Sequence, residues 1–310
     1  MKETNILITG GAGFIPASLA GRLAQIEGFN IVLVDNLLTG RKRNIPRLPT
    51  VRFIRCDVND YTDIAPVMTS FRFDYVFHYA AVVGVKRTLA NPAMVLEDLQ
   101  GITNILLLSK NTGVKRVFYS SSSEVYGEPV ELPQHEETTP LNSRLPYAIV
   151  KNAGEAFCKA YHQEYGLDYT VFRFFNTYGP LQSTDFVISK FLRAALRNDP
   201  ITIYGDGSQT RTFCYIDDNV ETTMRCLTQN LFVNDVINVG NDIQTTITEL
   251  AETIISITGA HSQIEFLPPL PEGDMKRRQP DITKMKQILA RPLLTLEEGL
   301  QKIIDSGLGH

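Results

Sequence analysis

The chain has little that would staple it, span a membrane or wrap nucleic acid. Its four cysteines, Cys56, Cys158, Cys214 and Cys226, lie far apart without a C-x-x-C pair, and its five histidines form no cluster at metal-ligand spacing. Neither disulfides nor a metal centre is therefore expected. No apolar run approaches the roughly 20 residues of a membrane span, and the opening Met-Lys-Glu-Thr-Asn has no apolar signal segment, so the expected compartment is the cytoplasm, with no membrane partner. Lys and Arg number 30 against 34 Asp and Glu, a formal charge of −4, which argues against the basic footprint that duplex nucleic acid requires. There is no low-complexity linker and no internal repeat. With 310 residues, 43% of them hydrophobic, the chain can bury a large core in one or two compact domains.

Hydrophobic runs alternate with stretches at helical period through the first half. Ile6 to Thr9, Ile31 to Asp35, Val51 to Arg55, Tyr75 to His78, Arg116 to Ser120 and Tyr169 to Phe174 read as short buried strands. Residues 14 to 26, 60 to 70, 92 to 111 and 146 to 165 read as the helices between them. This alternation predicts a doubly wound α/β domain with a parallel sheet over residues 1–175. After Asn176 the rhythm loosens into turns such as Tyr204-Gly205-Asp206-Gly207, with helical patterns near 186 to 198, 217 to 229, 246 to 258 and 295 to 305. Residues 176–310 are accordingly expected to form a smaller C-terminal α/β lobe, the boundary being approximate and interleaving of segments between the two remaining open.

Directly after the first strand, Thr9-Gly10-Gly11-Ala12-Gly13-Phe14-Ile15-Pro16 makes a glycine-rich turn that opens a helix. Backbone N–H groups and the helix dipole at such a turn suit a pyrophosphate. Asp35 ends the second strand, where a carboxylate binds an adenosine ribose diol and repels a 2′-phosphate, so the expected cofactor is NAD rather than NADP. Arg41, Lys42 and Arg43 follow closely; they read as a solvated basic loop, the alternative being that they soften that preference. Pro16 occupies the position where a third glycine usually permits close packing of helix on sheet. It lies early in the helix, where a missing N–H costs little, but its ring adds bulk against the neighbouring strand.

Tyr147 and Lys151 are spaced i, i+4 on the helix running from Pro146, which puts a phenol and an ammonium on one face. A free Tyr has a pKa of about 10, so base chemistry near neutral pH needs cationic neighbours, which Lys151 and an oxidised nicotinamide would supply. Upstream, Tyr119-Ser120-Ser121-Ser122-Ser123-Glu124-Val125-Tyr126-Gly127 places hydroxyls at the C-terminal end of a predicted parallel strand, where ligands bind in open α/β sheets.

On these residues the chain resembles the extended short-chain dehydrogenase/reductases, specifically their nucleotide-sugar epimerase, dehydratase and decarboxylase group, over almost its whole length. Asp35-Asn36-Leu37-Leu38-Thr39-Gly40 is similar to that group's second-strand loop, Cys56-Asp57-Val58 to its adenine-contacting pair, and His78-Tyr79-Ala80-Ala81 to its H-x-A-A segment. The resemblance implies a Rossmann fold and a tightly held NAD. Its expected contacts are Gly10, Gly13, Phe14, Ile15, Asp35, Asn36, Thr39, Gly40, Asp57, Val58, Ala80, Ala81, Tyr147, Lys151 and Phe174. It also implies that Ser122 is a catalytic hydroxyl, Tyr147 the base and Lys151 its partner. Phe175-Asn176 resembles an F-N step whose amide binds a substrate diphosphate, and Gly205-Asp206-Gly207-Ser208-Gln209-Thr210-Arg211 resembles a G-D-G-x-x-x-R segment that aims Arg211 at phosphate. The tail Gly273-Asp274-Met275-Lys276-Arg277-Arg278-Gln279-Pro280-Asp281 is similar to a further anionic-substrate segment, in which Arg277 or Arg278, the latter favoured, completes the clamp. Thr88, Ser122, Phe186, Val187 and Tyr204 are the other implied substrate contacts. The implied substrate is a UDP-sugar, and the implied assembly a homodimer through the helices around 92 to 111 and 146 to 165.

Within this group the reaction branches after a shared first step, in which Tyr147 takes the sugar O4 proton while the C4 hydride passes to NAD. A 4,6-dehydratase carries an Asp-Glu pair where this chain has Ser123-Glu124, which argues against dehydration. UDP-glucuronate decarboxylases share S-E-V-Y-G and a similar tail, but the segment after His78 lacks their P-A-S-P loop, and Tyr147-Ala148-Ile149-Val150-Lys151 reads more like an epimerase. C4 epimerisation is therefore the expected reaction, and decarboxylation the alternative. Glu124 is either a general base near C5 or a structural carboxylate, the latter favoured; Lys86 and Arg87 either meet a uronate carboxylate or are solvated, the latter again favoured. Asp98 departs from the group's usual Asn. A regulatory NAD sensor without catalysis is the non-enzyme alternative, against which the intact Ser122, Tyr147 and Lys151 speak.

Overall fold

In chain order, a computed structural model gives β1 (Thr4–Thr9), α1 (Phe14–Leu23), β2 (Phe29–Asp35), β3 (Val51–Arg55), α2 (Tyr61–Phe71), β4 (Tyr75–His78), α3 (Val85–Ala90), α4 (Pro92–Thr112), β5 (Arg116–Ser122), α5 (Pro146–Tyr165) and β6 (Asp168–Phe174). There follow β7 (Thr177–Tyr178), α6 (Val187–Leu196), β8 (Ile201–Tyr204), β9 (Thr210–Thr212), β10 (Cys214–Tyr215), α7 (Ile216–Thr228), β11 (Asp235–Val239), β12 (Gln244–Thr246), α8 (Ile247–Thr258), β13 (Ile264–Leu267), α9 (Thr283–Leu289) and α10 (Leu296–Asp305). The structure describes residues 3–269 and 277–307. Gly273 to Lys276 of the tail motif, and the Lys86 side chain, lie outside the described residues and side chains.

The main sheet has the order β11-β6-β5-β4-β1-β2-β3. From β3 to β6 every neighbouring pair is parallel. The chain starts in the middle, winds to one side through β2 and β3, then to the other through β4, β5 and β6. The order thus reverses between β1 and β4, which is where open α/β sheets bind ligands. Strands covered by helices on both faces read as unbroken apolar runs: Ile6, Leu7 and Ile8 are fully buried, and all of β5 is buried. The helices end where their sequences dictate. Pro92 and Pro146 start α4 and α5, where no amide partner is lost, and Gly113 and Gly166 stop them in the left-handed conformation.

The chain divides into two compact units. One holds the residues up to Val125 together with 141–174 and 220–237; the other holds 126–140, 175–219 and the residues from Asn238. The segments of the two units thus interleave along the chain. The chain returns to the first unit because the sheet acquires β11 beside β6. Arg116, at the start of β5, anchors that return. Its buried guanidinium donates to Thr170 Oγ1, to Cys226 O at the end of α7 and to Leu231 O, so it sits on carbonyls at the negative end of a helix. Burial lowers its pKa to about 10.

The second unit is built from small pairs: β7 beside β10 and β8 beside β13, both parallel, and β9 antiparallel to β12. Capping boxes at Thr246/Glu249 and Thr295/Glu298 start α8 and α10. Tyr178 packs edge-on to Phe213 and Tyr215 in its core. No helix among the described residues is long and apolar enough to cross a membrane.

Candidate active site

At the switch point the glycine turn and the segment after β4 form a cradle. Gly10 has a φ of 68°, and a Cβ there would lie 2.9 Å from the Ala80 backbone, so only glycine lets the turn after β1 rest on the segment after β4. The Thr9 hydroxyl joins the same two strands. Its oxygen lies 3.0 Å from both Tyr79 N and Ala80 N, which can only donate, so its own proton goes to His78 Nδ1 at 2.9 Å. His78 is thereby fixed as the Nε2–H tautomer, and burial, helped by the charge of Lys151, pushes its pKa down to about 3. It is a neutral structural ring stacked on Tyr119, and no base.

The start of α1 has no side-chain cap and no acid in its first turn, so the amides of Phe14 and Ile15 face outward from a positive helix end. That end suits a diphosphate. Pro16 fits because the first intrahelical bond is Ala17 N to Gly13 O, one residue beyond it. The Ala12 carbonyl that a residue-16 amide would face instead accepts Arg41 N at 2.9 Å and Asn44 Nδ2 at 3.1 Å. The basic loop is therefore tied by its backbone to the glycine turn.

The Asp35 carboxylate is nearly buried, accepting Ala12 N at 3.0 Å and Leu37 N at 2.7 Å. Burial raises its pKa and these amides lower it. Each oxygen keeps a second lone pair for a hydroxyl donor. A Cβ on Gly40 would lie 2.6 Å from Asp35 Oδ2, so the loop carrying exposed Thr39 closes onto this acid. Asn36 Nδ2 donates to Asp57 Oδ2 at 3.0 Å, joining the loops after β2 and β3, and Val58 is buried beside them. Uncapped helix, glycine cradle and engaged acid fit a dinucleotide.

At the other end of the cradle, Lys151 is buried and donates to Ser120 O at 2.7 Å, two residues before Ser122 on β5. Its Nζ lies 5.3 Å above the Tyr119 ring and 5.7 Å from that of Tyr147, one helical turn earlier. Burial lowers the Lys151 pKa to about 8, and the Asp98 carboxylate opposes that shift. The Ser122 hydroxyl accepts Glu124 N at 3.2 Å, where the chain leaves β5 in a short 3₁₀ turn. Tyr147 and Glu124 are half-buried. Phe174, at the end of β6, meets Tyr79 edge-on at 5.6 Å, Ala80 and Ala81 are half-buried, and Thr88 lies on α3.

In the second unit, Asn176 adopts a positive φ of 24° and donates through Nδ2 to Thr212 O at 3.1 Å, beside Arg211 on β9. Arg278 is buried, whereas Arg277 is exposed. Its segment is held by Gln134 N to Gln279 O at 2.7 Å and by Asp281 N to Gln134 O at 2.8 Å. Phe186 precedes α6 and is 40% exposed, Val187 begins that helix, and Tyr204 ends β8 beneath Lys190. His135, Glu136 and Asp281 bring ligand-type atoms within 4.8 Å of one another, a grouping invisible in the sequence. His135 Nδ1, Glu136 Oε1 and Asp281 Oδ1 accept the backbone amides of Glu137, Asn238 and Thr283.

Two features escaped sequence reasoning. Glu155 pairs with Arg173 of β6 through bonds of 2.7 and 3.0 Å, both side chains being buried, and it also accepts from Ser121 of β5. Tyr147, Lys151 and Glu155 thus form one i, i+4, i+8 stripe, and the last of them pins α5 to the sheet. The continued spacing was the available signal. The second is Thr9, whose role depends on a partner in β4.

The profile of the NAD dependent epimerase/dehydratase family matches residues 6–240. UDP-glucuronic acid decarboxylase 1 of Danio rerio is 36% identical over 307 residues, spanning 96% of this chain and 71% of that protein. The crystal structure of UDP-glucose 4-epimerase with UDP-glucose from Thermotoga maritima superposes with a TM-score of 0.92 at 33% identity, covering 97% of this chain and 98% of that one. UDP-glucuronic acid 4-epimerase from Bacillus cereus, in complex with UDP-glucuronic acid and NAD, gives 0.88 at 29% identity, covering 97% and 98%. With the glycine cradle, engaged acid and Tyr-Lys helix described above, these matches show that the chain belongs to the NAD-dependent epimerase/dehydratase family, and that its cofactor is NAD.

Proposed function

We propose that this protein is a UDP-sugar 4-epimerase. The observation that supports the reading is Lys151, held against Ser120 O one helical turn from Tyr147 and two residues before Ser122. Tyr147 takes the sugar O4 proton as base, Lys151 stabilises its phenolate, and the Ser122 hydroxyl donates to O4. NAD held in the cradle would supply the hydride-accepting and hydride-donating chemistry at C4. Epimerisation needs no further acid or base, only release of the 4-keto sugar for return on its other face. Asn176, Arg211 and Arg278 hold the diphosphate, the arginines through the fork geometry that suits phosphate. Gly10, Phe14, Ile15, Asp35, Asp57 and Ala80 hold NAD. The protein acts as a homodimer.

The Danio rerio relative favours a second reading, decarboxylation of UDP-glucuronate, in which Glu124 acts as an acid or base. Incubation with UDP-glucose, UDP-N-acetylglucosamine and UDP-glucuronate, with products resolved by mass and NMR, separates the two. An isomer of unchanged mass supports epimerisation. Loss of carbon dioxide from UDP-glucuronate without an epimer from any of the three replaces it with decarboxylation.

A further inference from the structure

Because α5 carries both Tyr147 and Lys151, the depth and register at which it sits on the sheet fix where those two groups stand. Its first turn does little to hold it there, having neither a side-chain cap nor an acid. The hold comes one turn below Lys151. Gly154 lies so close to Tyr119 of β5 that a Cβ there would overlap the phenol, so a residue unfavourable inside a helix is kept for the sake of contact with the strand. The next residue is Glu155, buried like its partner Arg173.

Glu155 is gripped from two strands at once. Its Oε1 accepts Arg173 Nε at 3.0 Å and its Oε2 accepts Arg173 Nη2 at 2.7 Å, a two-pronged pair from β6, while Oε1 also accepts the Ser121 hydroxyl of β5. Ser121 and Arg173 are register partners on these neighbouring parallel strands. A buried ion pair is a poor device for stability, since two apolar residues of similar volume serve as well or better. What a guanidinium fork on a carboxylate adds is a fixed geometry. Ser121 also lies between Ser120, whose carbonyl accepts Lys151 Nζ at 2.7 Å, and Ser122, so the grip on Glu155 and the seat of Lys151 share one stretch of β5.

We propose that Glu155, clamped by Arg173 and Ser121, is a positioning residue that sets Lys151 and Tyr147 at the end of β5. Its value for turnover rests on the reading under Proposed function; the clamp of α5 onto the strand does not. Lys151 and Glu155 are neighbours on one helical face, so a slide or roll of α5 that frees Glu155 also draws Lys151 Nζ away from Ser120 O.

Ser121→Ala removes one arm of the clamp and leaves the ion pair whole, so the fold should survive. In the NAD-loaded enzyme, with the sugar that is turned over, kcat should fall about 3- to 10-fold while KM stays within about twofold, because a misplaced base costs rate and not diphosphate binding. In a Lys151→Met background the same substitution should cost no further turnover, since the group it positions is gone. Glu155→Gln alone strands the Arg173 guanidinium and costs stability for that reason. Glu155→Leu with Arg173→Met strands no charge, so its melting temperature should stay near that of the wild type while kcat falls about 10²-fold. A crystal structure of this double variant should show the Lys151 Nζ to Ser120 O distance lengthened from 2.7 Å. Wild-type kcat in Ser121→Ala, or an equal loss with and without Lys151, would make the clamp a structural joint only and overturn the proposal, even where the double variant folds poorly. So would a double variant that keeps both its melting temperature and its kcat. Unchanged turnover in Tyr147→Phe, with the Lys151 contact lengthened in the double variant, would instead remove the catalytic reading and leave the clamp standing.

Discussion

Substitutions at Tyr147, Lys151 and Glu124 have distinct signatures. Tyr147→Phe keeps the ring and removes the base, so turnover should fall about 10²- to 10⁴-fold in steady-state assays, with little change in substrate affinity. Lys151→Met should cost more broadly, lowering turnover and weakening NAD retention together, since the resemblance gives Lys151 a contact to the nicotinamide ribose as well as to the phenol. Between pH 7 and 9 the wild-type rate should decline as Lys151, with its pKa near 8, loses the charge that supports the phenolate. Glu124→Gln discriminates between the reactions. An epimerase tolerates it with a moderate loss, whereas a decarboxylase that relies on the Glu124 carboxylate nearly stops.

At the scale of elements, the cradle depends on joints between strands. Thr9→Val removes a hydroxyl that satisfies Tyr79 N, Ala80 N and His78 Nδ1 at once. Orphaning such buried groups should destabilise the fold by about 2–4 kcal/mol, measured by urea unfolding. How legible an element was in the sequence follows from how local its causes are. β1 and β2 announce themselves through the apolar runs Ile6-Leu7-Ile8 and Ile31-Val32-Leu33-Val34, β3 to β6 through shorter or interrupted ones, and Tyr147 and Lys151 as a spacing within one turn. β11 does not: Asn238 interrupts its Asp-Val-Ile-Asn-Val, and its neighbour β6 lies far back in the chain. The helix α3 is only six residues and α9 only seven, too short for a periodic pattern. Thr9 with His78 and Arg116 with Cys226 are separated by 69 and 110 positions, so no window of sequence contains both partners. Asp98 stands out as a departure, and the amide it accepts, Val82 N, lies 16 positions back in the chain.

At the scale of the whole molecule, α4 and α5 carry exposed apolar residues, Leu96, Ile149 and Tyr165. These suit the expected pairing of those helices between two copies, and light scattering at micromolar concentration should return twice the chain mass. In the proposed reaction hydride leaves C4 of the sugar and returns to the same sugar without NAD being consumed. The direct measurement uses UDP-glucose deuterated at C4, incubated with the protein as purified and no added NAD. The expected product is a C4 epimer that retains deuterium at C4, with no NADH released and NAD recovered from the denatured protein. A product that forms only with stoichiometric added NAD, leaving deuterated NADH in solution, would contradict it.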